Sequence, residues 1–238
     1  MKSIVKKLLS GMGIFITRNQ RYDYLTEQIF AKILQENSNC VDIGCHKGEV
    51  LKQMLRYSPK GNHYAFEPIP SLFETYLKNQ FPENCHLYNL GLSERESEKT
   101  FNFVVSNPAY SGFEKRSYKG EEKIELITVQ TARLDQILPE SYNPDLIKID
   151  VEGAELEVLK GSEKILARCK PVILFEHGKG ASDIYGTSPE DIFDLLCSKH
   201  EFRIFTLESF LKNNDSLDLS KFKALYESGQ EYYFVAGI

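Results

Sequence analysis

At 238 residues, with 42% hydrophobic and 26% charged side chains, the chain has material for one substantial core and too little for two large domains. Its formal net charge of -5 gives no global electrostatic footprint for nucleic acid. The five cysteines, Cys40, Cys45, Cys85, Cys169 and Cys197, are odd in number and form no CxxC pair. That argues against a disulfide framework or a zinc knuckle and for a reducing, cytoplasmic setting.

Residues 1–37 read as a helical lead-in or cap. Lys2, Lys6 and Lys7 precede an apolar stretch broken by Ser10, Gly11 and Gly13, too short to span a bilayer; weak membrane-surface contact is the alternative. A helix is expected over about 24–35, where Leu25, Ile29, Phe30 and Ile33 make an apolar stripe. Residues 38–238 then read as one domain with an insertion at 93–129.

That domain opens on a strand over 40–44 and a helix over 49–57, stopped by Pro59 and Gly61. A second strand follows over 63–67, then a helix carrying Leu72, Phe73, Tyr76 and Leu77, then a third strand over 86–92. Short links between alternating strands and helices predict parallel pairing through right-handed crossovers. The insertion breaks this rhythm: strands over 101–105 and 124–129 flank a polar loop at 106–122, a candidate substrate-side wall or lid. Beyond it come a short helix at 134–138, a strand at 145–151, a helix at 154–166 and a strand at 171–175. Ser188-Pro189-Glu190 has the pattern of a helix start, and strands at 202–207 and 232–235 flank a last helix at 221–226.

Three places carry chemistry. Asp42-Ile43-Gly44-Cys45-His46-Lys47-Gly48-Glu49 ends the first strand; Gly44 lets a ligand approach the backbone and Gly48 allows tight entry into the next helix. Glu67 stands at the tip of the second strand, where a carboxylate accepts both hydroxyl hydrogens of a ribose. Together these describe a nucleoside-cofactor site. The pattern is D-x-G-x-x-x-G rather than G-x-G-x-x-G, and an acid beside the turn repels a pyrophosphate while favouring the sulfonium of S-adenosylmethionine. The third place is the run from Asp145 to Gly161, in which Ile147, Ile149 and Val151 alternate with Lys148, Asp150 and Glu152. A charged face on a central strand suits the ligand-facing edge of an open α/β sheet, and Lys148 can neutralise a neighbouring carboxylate by pairing.

The stretches V-D-I-G-C-H-K-G-E at 41–49, A-F-E-P-I-P at 65–70, L-D-Q-I-L at 134–138, I-K-I-D-V-E-G-A-E-L-E-V-L-K-G at 147–161 and F-E-H at 175–177 closely resemble the FkbM-type S-adenosylmethionine-dependent methyltransferases. The resemblance implies a Rossmann-like class I methyltransferase fold, α/β, with a seven-stranded, mostly parallel sheet and an antiparallel last strand. It implies O-methylation of a hydroxyl on a sugar or secondary metabolite. Carried onto this chain, it gives Asp42, Gly44, His46 and Gly48 to the methionine portion of the cofactor, Glu67 to the ribose, and Gly91, Leu92 and Ser93 to the adenine edge. Asp150 and Glu152 line the cofactor-substrate junction, faced by Glu176 and His177. His46 departs from the pattern, since many methyltransferases have glycine there.

The acceptor oxygen needs a destination for its proton. His177 is the expected base, with Asp150 as runner-up and Glu152 orienting the acceptor or His177. Asp150, Glu152, Glu176 and His177 also offer ligands for a hard divalent ion, although no spacing compels one. Tyr110, Phe113, Tyr118 and Tyr185 are candidates to stack on a sugar or an apolar scaffold. N-methylation, a nicotinamide-dependent oxidoreductase and a non-catalytic nucleoside-cofactor-binding module are the other readings.

Overall fold

The computed structural model describes residues 15–118 and 120–238; residues 1–14 of the expected lead-in lie outside the described residues. Helix α1 (Arg18–Ile33) begins earlier than the apolar stripe predicts, because the Thr17 hydroxyl caps it by accepting from the Gln20 amide at 3.3 Å. Its inner side, Tyr22, Leu25, Ile29 and Phe30, is buried.

The alternating units follow in order: β1 (Cys40–Ile43), α2 (Glu49–Tyr57), β2 (His63–Phe66), α3 (Pro70–Leu72) with a π-helical turn over Phe73–Leu77, and β3 (Cys85–Tyr88). Next come β4 (Gly91–Leu92), β5 (Ser97–Val104), β6 (Ile124–Ala132) and α4 (Leu134–Ile137). The second half supplies β7 (Leu146–Ile149), α5 (Glu155–Lys160), α6 (Glu163–Cys169), β8 (Val172–Glu176) and α7 (Pro189–Phe193) with a π-helical turn over Asp194–Lys199. It closes with β9 (Arg203–Thr206), α8 (Leu207–Leu211), α9 (Leu219–Ser228) and β10 (Tyr233–Gly237).

The main sheet has seven strands in the order β3-β2-β1-β7-β8-β10-β9. The pairs from β3 through β8 are parallel, and β10 is antiparallel to both β8 and β9, as the sequence predicts. Helices cover both faces, so both must be apolar. Val41, Ile43, Ile147, Ile149, Ile173 and Phe175 pack into one core layer, while Cys40, Leu146, Leu174 and Val235 pack with α1 into the other.

Two expectations change. The strand expected over 86–92 splits at Asn89, whose Nδ2 donates to the Glu67 carbonyl at 2.8 Å; β4 then leaves the main sheet and pairs with β6. The helix expected over 154–166 breaks at Gly161, which packs so closely on Ser93 that an added Cβ would stand 2.2 Å from its carbonyl oxygen. The insertion is a long antiparallel ribbon, registered from Ser97 opposite Thr131 to Val104 opposite Ile124. Its Phe101 and Val129 pack against Ile69 and Leu72, which fixes the ribbon beside the tip of β2. No helix among the described residues is long and apolar enough to cross a membrane.

Candidate active site

The chain leaves β1 through Gly44, whose φ of 73° lies in the left-handed region. The amides of Gly44 and Cys45 both donate to the Phe66 carbonyl at 3.0 Å. An added Cβ at Gly44 would stand 1.9 Å from the Asp150 carbonyl oxygen. The turn is thus held between the ends of β2 and β7, where only glycine fits.

Glu67 is fixed by this turn. Its Oε2 accepts from the His46 amide at 2.8 Å and its Oε1 from the Ile69 amide at 2.9 Å. His46 reaches that position with a φ of 51°, so the residue that departs from glycine still adopts a glycine-like turn. Burial pushes the Glu67 carboxyl up to about 7, although both amides pull it down. Each oxygen retains lone-pair capacity for a further donor, and a ribose diol offers two.

The charged face of β7 has its partners across the sheet. Lys148 stands opposite Asp42 in the β1–β7 register, with its Nζ 3.4 Å from Asp42 Oδ1 and 3.5 Å from Asp150 Oδ2. Nζ also donates to the Gly44 carbonyl at 3.0 Å. Burial lowers the lysine's pKa, but Asp150 and Asp42 outweigh it and keep the ammonium charged. The pair therefore braces the Gly44 turn from behind.

A cleft of about 240 Å³ opens beside this turn. Gly44, His46, Glu67, Gly91, Leu92, Asp150 and Glu152 line it. Three residues given to the cofactor do not. Asp42 is fully buried against Lys148, Gly48 packs on Phe81, and the buried Ser93 hydroxyl donates to Glu157 at 2.5 Å. Of the four candidate stacking aromatics, only Phe113 lines the cleft.

His177 does not join the acids, which corrects its expected role as base. Its ring is fully buried and stacked on Tyr226 and Phe222, with centroids 4.7 and 5.7 Å away. Neither ring nitrogen has a hydrogen-bond partner among the described residues, and burial lowers its pKa to about 4. Strand alternation is the reason: Glu176 points to the acids, so the next residue points into the opposite layer.

Asp150, Glu152 and Glu176 each bring a carboxylate oxygen within 4.8 Å of the others. Glu152, at φ 58°, forms an ion pair with Arg116 from the insertion loop, and Arg116 Nε also donates to the Gly180 carbonyl at 2.8 Å. Burial and then Asp150 and Glu155 push the Glu176 carboxyl well above its ordinary range. Glu155 closes the turn: its Oε1 accepts from the amides of Val151 at 3.1 Å and Gly153 at 3.2 Å.

A methyltransferase FkbM domain matches residues 42–204, well over half the chain. The chain belongs to the FkbM methyltransferase family. Among curated relatives, it is 33% identical over 143 residues to the hexuronic acid methyltransferase AglP of Haloferax volcanii, covering 58% of this chain and 54% of that protein. It is 26% identical over 157 residues to the 2-O-methyltransferase NoeI of Sinorhizobium fredii, covering 60% and 65%. The chain thus spans about half to two thirds of the length of these relatives. The crystal structure of methyltransferase FkbM from Methylobacillus flagellatus shares the fold at a TM-score of 0.53 and 16% identity, over 86% of this chain and 44% of that one.

Sequence reasoning about this FkbM chain missed Arg116, which lies in a loop with no periodic signal, and the ribbon residues Phe101 and Ser111 that wall the cleft. It also missed the contribution of α1, where Tyr22 and Asp23 face Glu176 across a second opening. The apolar stripe of α1 was visible; its polar positions gave no sign of where they would point.

Proposed function

We propose that the protein is an S-adenosylmethionine-dependent O-methyltransferase acting on a hydroxyl of a sugar or secondary metabolite. The observation that carries this reading is Glu67, a buried carboxylate held by two amides at the tip of β2, beside a turn that only glycine can make. It suits a ribose diol, with Gly91 and Leu92 along the base and Gly44 and His46 toward the methionine end. When bound, S-adenosylmethionine supplies a methyl on a sulfonium, and transfer exchanges its carbon–sulfur bond for a carbon–oxygen bond on the acceptor. The 2-O-methyltransferase NoeI as a relative supports a hydroxyl as that acceptor.

The protein's own part is alignment, exclusion of water and removal of one proton. Asp150 is the proton acceptor in this reading. It lines the cleft and retains 32% side-chain exposure, enough to be reached, while Lys148 holds it at 3.5 Å. Glu152 is committed to Arg116. Burial and then Asp150 and Glu155 push the Glu176 carboxyl well above its ordinary range, which favours its protonated, hydrogen-bond-donating form.

Calorimetry with S-adenosylmethionine and with NAD tests the cofactor. Binding of the former alone is expected, and Glu67→Ala should weaken it by about 10- to 100-fold, the loss of about 1.5–3 kcal/mol from hydrogen bonds to a charged group. Folded protein that fails to bind S-adenosylmethionine would overturn the reading.

A further inference from the structure

A second chamber of about 140 Å³ adjoins the cofactor cleft and shares Val50, Lys148 and Asp150 with it. Its other walls are α1, through Tyr22 and Asp23, the start of β10, through Tyr232 and Tyr233, and Glu176 at the end of β8. We propose that this chamber, rather than the insertion loop, is the acceptor site, and that it takes a neutral polyhydroxylated ring and rejects a carboxylate. The inference rests on the methyltransferase reading and narrows its acceptor.

Charge sets the class. Asp23 at the rim and Asp150 bring two acidic side chains, Glu176 adds a carboxyl whose protonated form burial favours, and Lys148 is the one cation among the lining residues. It is already divided among Asp42, Asp150 and the Gly44 carbonyl. Arg21, on the same helix as Tyr22, is paired with Glu208 and Glu231 at 3.0 Å each. Arg18 donates to the Gly229 carbonyl at 2.5 Å while lying over the Tyr232 ring. No guanidinium among the described residues lines the chamber to receive an anion, and an acceptor carboxylate would meet like charge in a site of reduced dielectric.

Hydrogen bonding and shape point the same way. Gln53 lines the chamber, and its buried Oε1 has no partner among the described residues. A buried acceptor without a donor is costly, and a ligand hydroxyl satisfies it. Asp23 and Asp150 accept further hydroxyl hydrogens. The rings of Tyr22 and Tyr232, edge to face at 4.8 Å, and of Tyr233 give the apolar surface on which the carbon face of a sugar ring packs. Asp150 belongs to both spaces, so a hydroxyl held here meets the proposed base at the boundary with the cofactor.

The test uses the full chain with S-adenosylhomocysteine or S-adenosylmethionine bound. Methyl glycosides of neutral hexoses and 6-deoxyhexoses are compared with the corresponding hexuronic acids, by ligand-observed NMR binding and by labelled methyl transfer. Neutral glycosides should bind or react at least tenfold better than their uronic counterparts. Asp23→Asn and Gln53→Leu should each raise the KM for the glycoside several-fold while leaving the S-adenosylhomocysteine Kd within twofold, with thermal melting confirming the fold. Preference for uronic acids, or no binding of any neutral glycoside by cofactor-loaded protein, overturns the proposal. So does a loss of S-adenosylhomocysteine affinity in these variants without a change in glycoside KM, which would give the chamber to the amino-acid end of the cofactor. Failure to bind the cofactor at all would instead sink the methyltransferase reading.

Discussion

Glu67 couples cofactor recognition to pH. Burial holds its carboxyl up to about 7 in the free protein, so near pH 6 it is mostly protonated and offers one acceptor fewer to a ribose. Ribose hydroxyls stabilise the carboxylate form, which lowers its pKa in the complex and releases a proton on binding. Binding must therefore tighten as pH rises through 7. With adenosine as the probe, whose own groups do not titrate in this window, the affinity should rise about tenfold between pH 6 and pH 8, the change in ionised fraction of a group with pKa near 7. Glu67→Gln should bind more weakly and with no slope. A slope that persists in the variant would assign it to another group. His177 behaves in the opposite way: burial pushes it to about 4, so it is neutral throughout this range and adds nothing to the slope.

At the scale of the element, β7 owes its lysine to β1. Lys148 is 4% exposed and Asp42 is fully buried, the two paired at 3.4 Å. Removing one partner strands a charge, which costs about 3–5 kcal/mol, whereas replacing both by apolar groups is often neutral. Lys148→Met should accordingly destabilise the fold by that amount in chemical denaturation, and Asp42→Leu with Lys148→Met should recover most of it. Equal destabilisation by the single and double substitutions would show that Lys148 acts instead through the Gly44 carbonyl. The charged face of this strand was legible from alternation alone, as were the Gly44 turn and Glu67, because period and turn chemistry are local. The break at Gly161 was not, since it comes from contact with Ser93, distant in sequence. The burial of His177 was equally hidden: the F-E-H pattern puts it beside Glu176, but the rings that cover it, Phe222 and Tyr226, belong to α9.

Across the molecule, the site concentrates carboxyls that folding pushes up, and this sets the pH dependence of stability. Glu67 and Glu155 rise to about 7 through burial, and Glu176 rises well above its ordinary value. A raised carboxyl holds a proton in the folded chain that it has lost in the unfolded chain, so its stabilisation is full below about 4.5 and is lost as pH climbs to about 7. His177 opposes this between about 4 and 6.5, where the unfolded chain binds its proton and the folded chain does not. Glu163 and Asp191, lowered by Lys199 and Ser188 respectively, act on the acid side, where their contribution falls away as they protonate. Asp23, Asp42, Glu67, Glu155 and Glu176 are raised against His46, His63 and His177 lowered, so the cofactor-free protein should lose stability between pH 5 and pH 7.5. Glu155→Gln isolates one contributor, because its amide oxygen can still accept from Val151 and Gly153 while nothing remains to ionise. The variant should match the natural chain near pH 4.5 and exceed it at pH 8 by about 3 kcal/mol, the scale of a carboxyl raised from about 4.5 to about 7. Thermal and urea denaturation at the two pH values measure that difference directly. A gap that is constant with pH would mean that Glu155 acts through packing and hydrogen bonding alone, and the fall in stability would then belong to Glu67 and Glu176.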